Sequence, residues 1–380
     1  RFGDFHAFPR SRQVGVEIAS QHPVQSAGVV AEICRRVDCL PLGVELAAAR
    51  MRVMSAADVV RRLDRLGFLR GAMRGALPRQ QSLVATIDWS YRLLTEAEQA
   101  FFAQLSVFAG SFDLAAAHVV CAGGDEDDTL DVLAGLVDKS MVVVRNVTDR
   151  TRYAVLETLR AYGRERLQES GTEQQLTIRH AEYFTDLAER AGAGVETAEE
   201  REWIERVLPD YDNLRTAFER AMSDHNIDLA LRLVAACAEI FGIRVGYEVF
   251  RWAERVAAAA DSDHPLYPAV VGTAARGAWA RGEYATARSL AELAGGRVPG
   301  PGTSRIAYPG DVLADLDLFE DKAEQVLNYW DEQVAVARQG SNPIRLGQTL
   351  STGAVLHGVL GGDFDPYLPA AREGVEIAET

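Results

Sequence analysis

Phosphate chemistry needs a glycine-rich turn whose backbone N–H groups cradle the phosphates, and a lysine that reaches them, spaced G-x-x-x-x-G-K-[ST]. The 380-residue sequence has no such run, and its only lysines, Lys139 and Lys322, follow no glycine-rich turn. Gly295 to Gly302 is rich in Gly and Pro, but it lacks Lys and its prolines offer no N–H, so it reads as a loop. An apolar strand ending in paired acids, as a Mg²⁺ site would need, is also missing. His180, His225 and His264 stand apart from any Cys or nucleophile motif, and neither G-x-S-x-G nor H-E-x-x-H occurs. Cys34 and Cys39 are neighbours while Cys121 and Cys237 are isolated; no zinc spacing results, and all four read as buried, reduced thiols. The chain by itself is therefore expected not to be an enzyme, and to hold no metal and no cofactor.

Composition narrows the remaining classes. With 48% hydrophobic and 25% charged residues the chain can bury a core, and its length suggests two to four domains. No run of about 18 uncharged apolar residues exists, and Arg1 to Arg12 lacks the apolar centre of a signal peptide. A net charge of −15 repels nucleic acid and anionic lipid overall, so neither is the expected partner, and the reduced thiols fit a cytoplasmic protein. Arginine supplies nearly all the positive charge, as in GC-rich genomes, so individual arginines are not read as phosphate forks. Position 1 is Arg rather than Met, and a fragment or processed product is expected.

The elements that would position a site are mostly helices. Ser26 to Val37 carries the stripe Val29, Val30, Ile33, Cys34 and Val37. Pro41 stands where a helix takes its first residue, ahead of the apolar run Leu42 to Arg50. Ser55 caps Ala56 to Leu66, and Gly71 to Arg79 reads as a linker. Helices follow over Ser82–Leu93, Glu96–Phe108 (with Thr95 and Glu98 as a capping box), Leu114–Cys121 behind Asp113, and Asp127–Lys139. Met141–Arg145 and Thr151–Val155 form a hairpin, and Leu156–Glu169 returns to helix, which is winged-helix order. Beyond about residue 175, Gly246-Tyr247, Gly282-Glu283-Tyr284, Glu320-Asp321 and Gly362-Asp363-Phe364 recur at roughly 36–42 residues, the period of helical-pair arrays. In the clearest unit Gly282 makes the turn, Tyr284 packs between the paired helices and Ala287 lets them approach. Trp203, Tyr211, Phe218, Phe241, Tyr247, Phe250 and Trp252 read as core of that array. The last unit is half complete at Thr380, so the protein is expected to continue.

Leu40-Pro-Leu-Gly43, with the helix around it, resembles the GLPL segment of STAND signalling ATPases, the class of AfsR-like and large LuxR-type regulators. The resemblance runs on through Leu77–Leu83, Ile87–Leu94, Phe108–Phe112, Leu136–Ser140, Tyr153–Tyr162 and Trp203–Ala221. It implies three modules: residues 1–72 as the helical tail of an NB-ARC-type nucleotide-binding domain, 78–170 as a winged helix, and 175–380 as TPR-like repeats. The implied fold is mainly α. It also implies that Leu40, Pro41 and Leu42 lie beside a nucleotide, although Cys39 and Gly43 depart from the usual flanks. The family's Met-His-Asp switch triplet aligns with Val155, Leu156 and Glu157, and leucine cannot donate a hydrogen bond to phosphate. Glu157 thus stands either as a switch residue or as a helix N-terminal charge, and Pro41 either as a nucleotide contact or as a helix start.

The implied function is the sensing and gating portion of a nucleotide-switch transcriptional regulator that binds a partner or ligand through its repeats. ATP or ADP would bind only with an upstream region, and the resemblance leaves open a homo-oligomer of the full-length protein. The alternative is a nucleotide-independent interaction scaffold. No direct DNA contact is expected, because the helix that would enter the groove is led by Gly124-Asp-Glu-Asp-Asp128 and adds Asp131 and Asp138. Only Arg145, Arg150 and Arg152 on the wing could reach a DNA backbone.

Overall fold

A computed structural model describes residues 26–36, 41–67, 78–147, 150–242, 248–300, 303–340 and 342–379. These are almost wholly helical, with one two-stranded sheet, and the chain divides into compact units at residues 1–179 and 180–380.

In the first unit, α1 (Ser26–Arg36), α2 (Pro41–Arg50) and α3 (Ala56–Gly67) gather against α4 (Pro78–Arg92). Ile33, Ala47, Val59 and Trp89, one from each helix, form their shared core. Pro41 is the first residue of α2, where its missing N–H costs nothing. Ser55 Oγ accepts from the Asp58 N–H at 3.2 Å, as its position before α3 requires. Helix α4 begins at Pro78, four residues ahead of the expected start, because Pro is pre-set for a first turn.

Next come α5 (Glu96–Leu105), α6 (Leu114–Cys121), α7 (Glu126–Asp138), the hairpin β1 (Val143–Val147) and β2 (Arg150–Ala154), and α8 (Glu157–Ser170). Thr95 and Glu98 form the reciprocal capping box, and Asp113 caps α6 through the Ala116 N–H at 2.8 Å. Phe102, Leu105, Phe112, Leu133, Leu136 and Leu159 have no exposed surface. Each such side chain contributes on the order of 1.5–3 kcal/mol relative to exposure. The strands pair antiparallel from Val143↔Ala154 to Val147↔Arg150, two residues later on the first strand than the sequence suggests. The cause is local: Met141 and Val142 are buried, and their N–H groups still bond to Leu136 O at the end of α7. Phe112 adds an isolated antiparallel bridge to Tyr153, a third strand fragment too short to show in hydrophobic alternation.

The helix α9 (Glu173–Gly194) crosses the boundary between the units. In the second unit follow α10 (Glu200–Val207), α11 (Tyr211–Ser223), α12 (Ile227–Gly242), α13 (Glu248–Ala257), α14 (Tyr267–Ala280), α15 (Tyr284–Glu292), α16 (Pro309–Phe319), α17 (Ala323–Gln339), α18 (Pro343–Gly361) and α19 (Leu368–Glu379). From α11 to α19 each helix packs on the next, in a solenoid-type succession of helical pairs. The tight turns of three pairs carry a left-handed residue, Gly282 at φ +78°, Asp321 at +65° and Gly362 at +76°. Phe218, Phe241, Phe250 and Trp252 are buried, with Phe218 stacked on Trp252 at 4.7 Å; Trp203 and Tyr211 are partly buried, and Tyr247 lies outside the described residues. Ala287 is fully buried and allows the close approach. Tyr284 does not pack between helices: it is 49% exposed, its ring beside Phe319 at 5.6 Å on the surface. Alanines 275, 278, 287 and 291 fill the seam too closely to admit a phenol ring.

Candidate functional site

The winged region concentrates the features that could act on a partner. Helix α7 is capped by Asp125, whose Oδ1 accepts from the Asp127 N–H at 3.1 Å, and acids in its first turn suit the positive end of the helix dipole. Thr129, Leu133 and Leu136 face the core, and His118 Nδ1 on α6 meets Thr129 Oγ1 at 2.8 Å. The outward face carries Glu126, Asp127, Asp128, Leu130, Asp131, Ala134 and Asp138, with no basic residue. Lys139, just beyond α7, is turned inward to Glu98. Burial pushes the Glu98 carboxyl up, but the Lys139 ammonium and the Thr95 N–H and hydroxyl outweigh it and hold it below the usual range. Gly135 makes room for this pair, since a Cβ there would stand 2.7 Å from Glu98 Oε1.

The wing supplies less positive charge than its sequence suggests. Arg145 and Arg150 are exposed, but Arg152 is buried, with Nε donating to Ser111 Oγ at 2.9 Å and NH2 to Ser111 O at 2.7 Å. Arg152 lies on the inward side of β2, between exposed Thr151 and half-buried Tyr153, and serves the loop beneath the sheet. Its availability to a DNA backbone is withdrawn.

The joint between the α1–α4 helices and the winged region mixes ring packing with polar contacts: the Tyr91 ring on α4 lies 5.9 Å from Phe102 on α5 and 5.4 Å from Tyr162 on α8. Within the α1–α4 group, Arg50 (3% exposed) ties α2 to α4 by donating from NH2 to Ser90 O at 2.9 Å, and burial lowers its pKa. Arg52 reaches Asp138 at 3.5 Å on the surface. From the other side, Tyr162 on α8 donates to Asp88 Oδ1 on α4 at 2.8 Å.

Of the positions implied to face a nucleotide, Leu40 and the Leu42 side chain lie outside the described residues. Pro41 is exposed at the start of α2. Glu157 is exposed in the first turn of α8 and paired with Arg160, which also donates to Ala109 O at 2.7 Å. No hydrogen bond or ion pair joins Pro41 to Glu157. The Glu157 carboxylate cannot donate to a phosphate, so no phosphate contact is assigned to it. His180 is buried beside Phe184, His225 occupies a turn at φ +58°, and His264 Nε2 lies 3.2 Å from Asp228. No group of three or more potential metal ligands occurs among the described residues. Cys34, Cys121 and Cys237 are free; Cys34 is only half-buried, and burial pushes the Cys237 thiol up to about 12. No described helix is long and apolar enough to cross a membrane.

Two features of the array escaped the sequence reading. The first is a buried bolt: Arg345 donates to both Asp311 oxygens at 2.6 and 2.8 Å, while Tyr329 donates to Asp311 at 2.6 Å and the Tyr308 ring lies 3.7 Å from the guanidinium carbon. Its signal was Arg345 itself, the sole Arg or Lys in the otherwise apolar α18. The second is charge distribution. Residues 180–380 hold 33 Asp and Glu against 18 Arg and Lys, and residues 1–179 hold 22 of each, so the whole net charge of −15 lies on the second unit.

The element order of α5 to α8 has a counterpart among known families. Residues 94–168 match the winged helix-turn-helix domain family. The winged helix spans α5 to α8 and the hairpin, and such helices often read DNA from the position α7 holds. A Mycobacterium tuberculosis protein named as an HTH-type transcriptional regulator is 44% identical over 232 residues, covering 60% of this chain and 26% of its own length. An uncharacterized protein of the same organism is 40% identical over 192 residues, covering 49% of this chain and 48% of its own. The chain thus spans about a quarter of one relative and about half of the other. The crystal structure of a STAND protein with a tetratricopeptide repeat sensor from Pyrococcus horikoshii aligns with a TM-score of 0.44 at 13% identity, over 89% of this chain and 53% of that one.

Proposed function

We propose that this chain is the sensing and gating portion of a transcriptional regulator of the STAND type, in which the helical array engages a partner and the winged helix relays that event. The reading rests on the outward face of α7, where acids replace the basic residues that a groove-reading helix needs. The polar contacts at the joint, Arg52 to Asp138 and Tyr162 to Asp88, suit a part that shifts between arrangements, because such contacts are readily exchanged. DNA reading, nucleotide binding and hydrolysis are assigned to other parts of a longer protein.

The experiment separates relay from reader in the intact gene product. Asp127→Asn/Asp131→Asn on α7 is expected to change reporter output in the host while leaving the DNA affinity of the intact protein within about two-fold. Output falling in step with DNA affinity would make α7 a reader and remove the proposal. The nucleotide-independent scaffold is the second reading, favoured by Leu156 and Glu157 standing where phosphate donors are needed. A scaffold would leave reporter output insensitive to those same substitutions.

A further inference from the structure

The connection between α15 and α16 departs from the succession of helical pairs. Residues 303–308 of it run back across earlier helices as a strap. Ser304 Oγ donates to Glu239 Oε2 at 2.8 Å and Arg305 Nε to Glu239 Oε1 at 2.8 Å, so one carboxylate on α12 takes both side chains. These bonds span 65 and 66 residues, whereas Arg255 to Glu219, a bond from one pair to the next, spans 36. The Ala307 N–H closes a turn on Ser304 O at 3.0 Å. Ile306 lies against Gly242 at the end of α12, and Ala307 O against Gly272 of α14, where a Cβ would strike it. Tyr308 ends the crossing against the Arg345 guanidinium of α18, with the ring centroid 3.7 Å from its carbon.

In a solenoid each repeat touches its neighbours, so a segment that joins α12 to α18 is an addition to the array and not a product of its period. Helix α14 packs on both α12 and α16, and these three form one layer. Arrays of helical pairs use such a layer as an extended binding surface, and here the strap is seated on it. The surface also holds one more acid than the strap uses. Glu196, between α9 and α10, is half-buried and has no hydrogen-bond partner among the described residues. Burial and the Glu239 carboxylate push its carboxyl above the usual range, and the Arg305 guanidinium only partly offsets them. We infer that residues 303–308 stand in for a partner: the face of α12 and α14 takes a non-helical, arginine-bearing segment of another protein, its guanidinium between Glu239 and Glu196, and that segment displaces the strap. The inference rests on the reading of the array as the partner-binding part, and names the surface and the partner's chemistry. A tethered occupant acts at an effective concentration on the order of 1 mM, so a free segment of about 100 μM affinity binds about ten-fold more weakly while the strap is in place.

The test titrates the full 380-residue chain with a fluorescein-labelled peptide copying residues 303–308, and with the same peptide carrying alanine for its arginine, followed by anisotropy. Ser304→Ala/Arg305→Ala frees Glu239 without altering α12 or α14, and circular dichroism verifies helix content. Hydrogen exchange verifies release: the Ala307 amide is expected to exchange at least about ten-fold faster in this variant, with α14 unchanged. The arginine peptide is expected to bind the released chain at least about ten-fold tighter than the native chain, and the alanine peptide weakly to both. Adding Glu239→Gln to the released chain should cancel that gain, and adding Glu196→Gln should reduce it. A gain that survives Glu239→Gln, or equal binding of the two peptides, would overturn this face. Native and released chains that bind alike, or a released chain that binds neither peptide, would make the strap a structural brace only. Unchanged exchange at Ala307 would show that Glu239 does not hold the strap, and would overturn the inference as well. In each failure, reporter output that still responds to the α7 substitutions would leave the relay standing, with its partner bound elsewhere on the array.

Discussion

Arg345→Ala is the most demanding perturbation of the array, because it strands a carboxylate. Asp311 is 2% exposed and Arg345 6%, and the guanidinium supplies two of the three hydrogen bonds that Asp311 receives, with Tyr329 supplying the third. Removing one partner of a buried pair costs about 3–5 kcal/mol, chiefly because the other charge stays buried. The guanidinium stacked on Tyr308 adds up to about 2 kcal/mol when desolvated, part of which is already contained in that range. A loss of about 4 kcal/mol is therefore expected. For a unit of this size each kcal/mol moves Tm by roughly 2–4 °C, so the melting step of the array should fall by about 10 °C. Asp311→Ala should cost a similar amount. The double variant should lose at least about 4 kcal/mol less than the two single losses added together, since it strands no charge. Circular dichroism melts of all four proteins complete the cycle. Losses additive within about 0.5 kcal/mol, or a Tm change under about 2 °C for Arg345→Ala, would refute a coupled buried pair.

Three other outcomes follow from particular contacts. Gly135→Ala places a Cβ 2.7 Å from Glu98 Oε1. It should destabilise the winged helix by about 1 kcal/mol or more in a thermal melt, although alanine in a helix ordinarily gains about that much. The depressed Glu98 carboxyl contributes stability that is present above its unfolded pKa, about 4.3, and lost as pH falls through the lower folded value. Urea melts of the native protein and Glu98→Gln should show a shallower acid limb for the variant; identical limbs would contradict the assignment. Gly282→Ala, at φ +78°, should cost about 1–2 kcal/mol and lower the array's melting step.

The local devices were legible because their chemistry is confined to a few adjacent residues. The Thr95–Glu98 box, the Asp113 and Ser55 caps and the left-handed turns at Gly282 and Gly362 each need only the residues that form them. Errors arose where a distant partner decided. Met141 and Val142 look like strand residues, yet the core behind Leu136 claims them, so the first strand begins two residues later than the sequence suggests. Arg152 looked solvent-facing until Ser111, 41 residues away, gave it two acceptors. Tyr284 stays outside the seam because alanines from α14 and α15 fill it. A whole-chain net charge of −15 concealed one neutral unit and one strongly acidic unit. At the implied nucleotide positions, Pro41 opens α2 and Glu157 opens α8.

An anisotropy titration of a labelled 30-base-pair duplex shows whether the acidic face of α7 keeps this winged helix off DNA. The native chain and Asp127→Lys/Asp128→Lys/Asp131→Lys would be compared at 50 and 200 mM salt. Non-specific DNA binders reach dissociation constants of about 10⁻⁴–10⁻⁶ M. The native chain is predicted to bind more weakly than about 10⁻⁴ M at either salt concentration, with the reversed variant gaining salt-sensitive binding at 50 mM. Native binding in the micromolar range, weakening steeply between the two salt concentrations, would contradict the account.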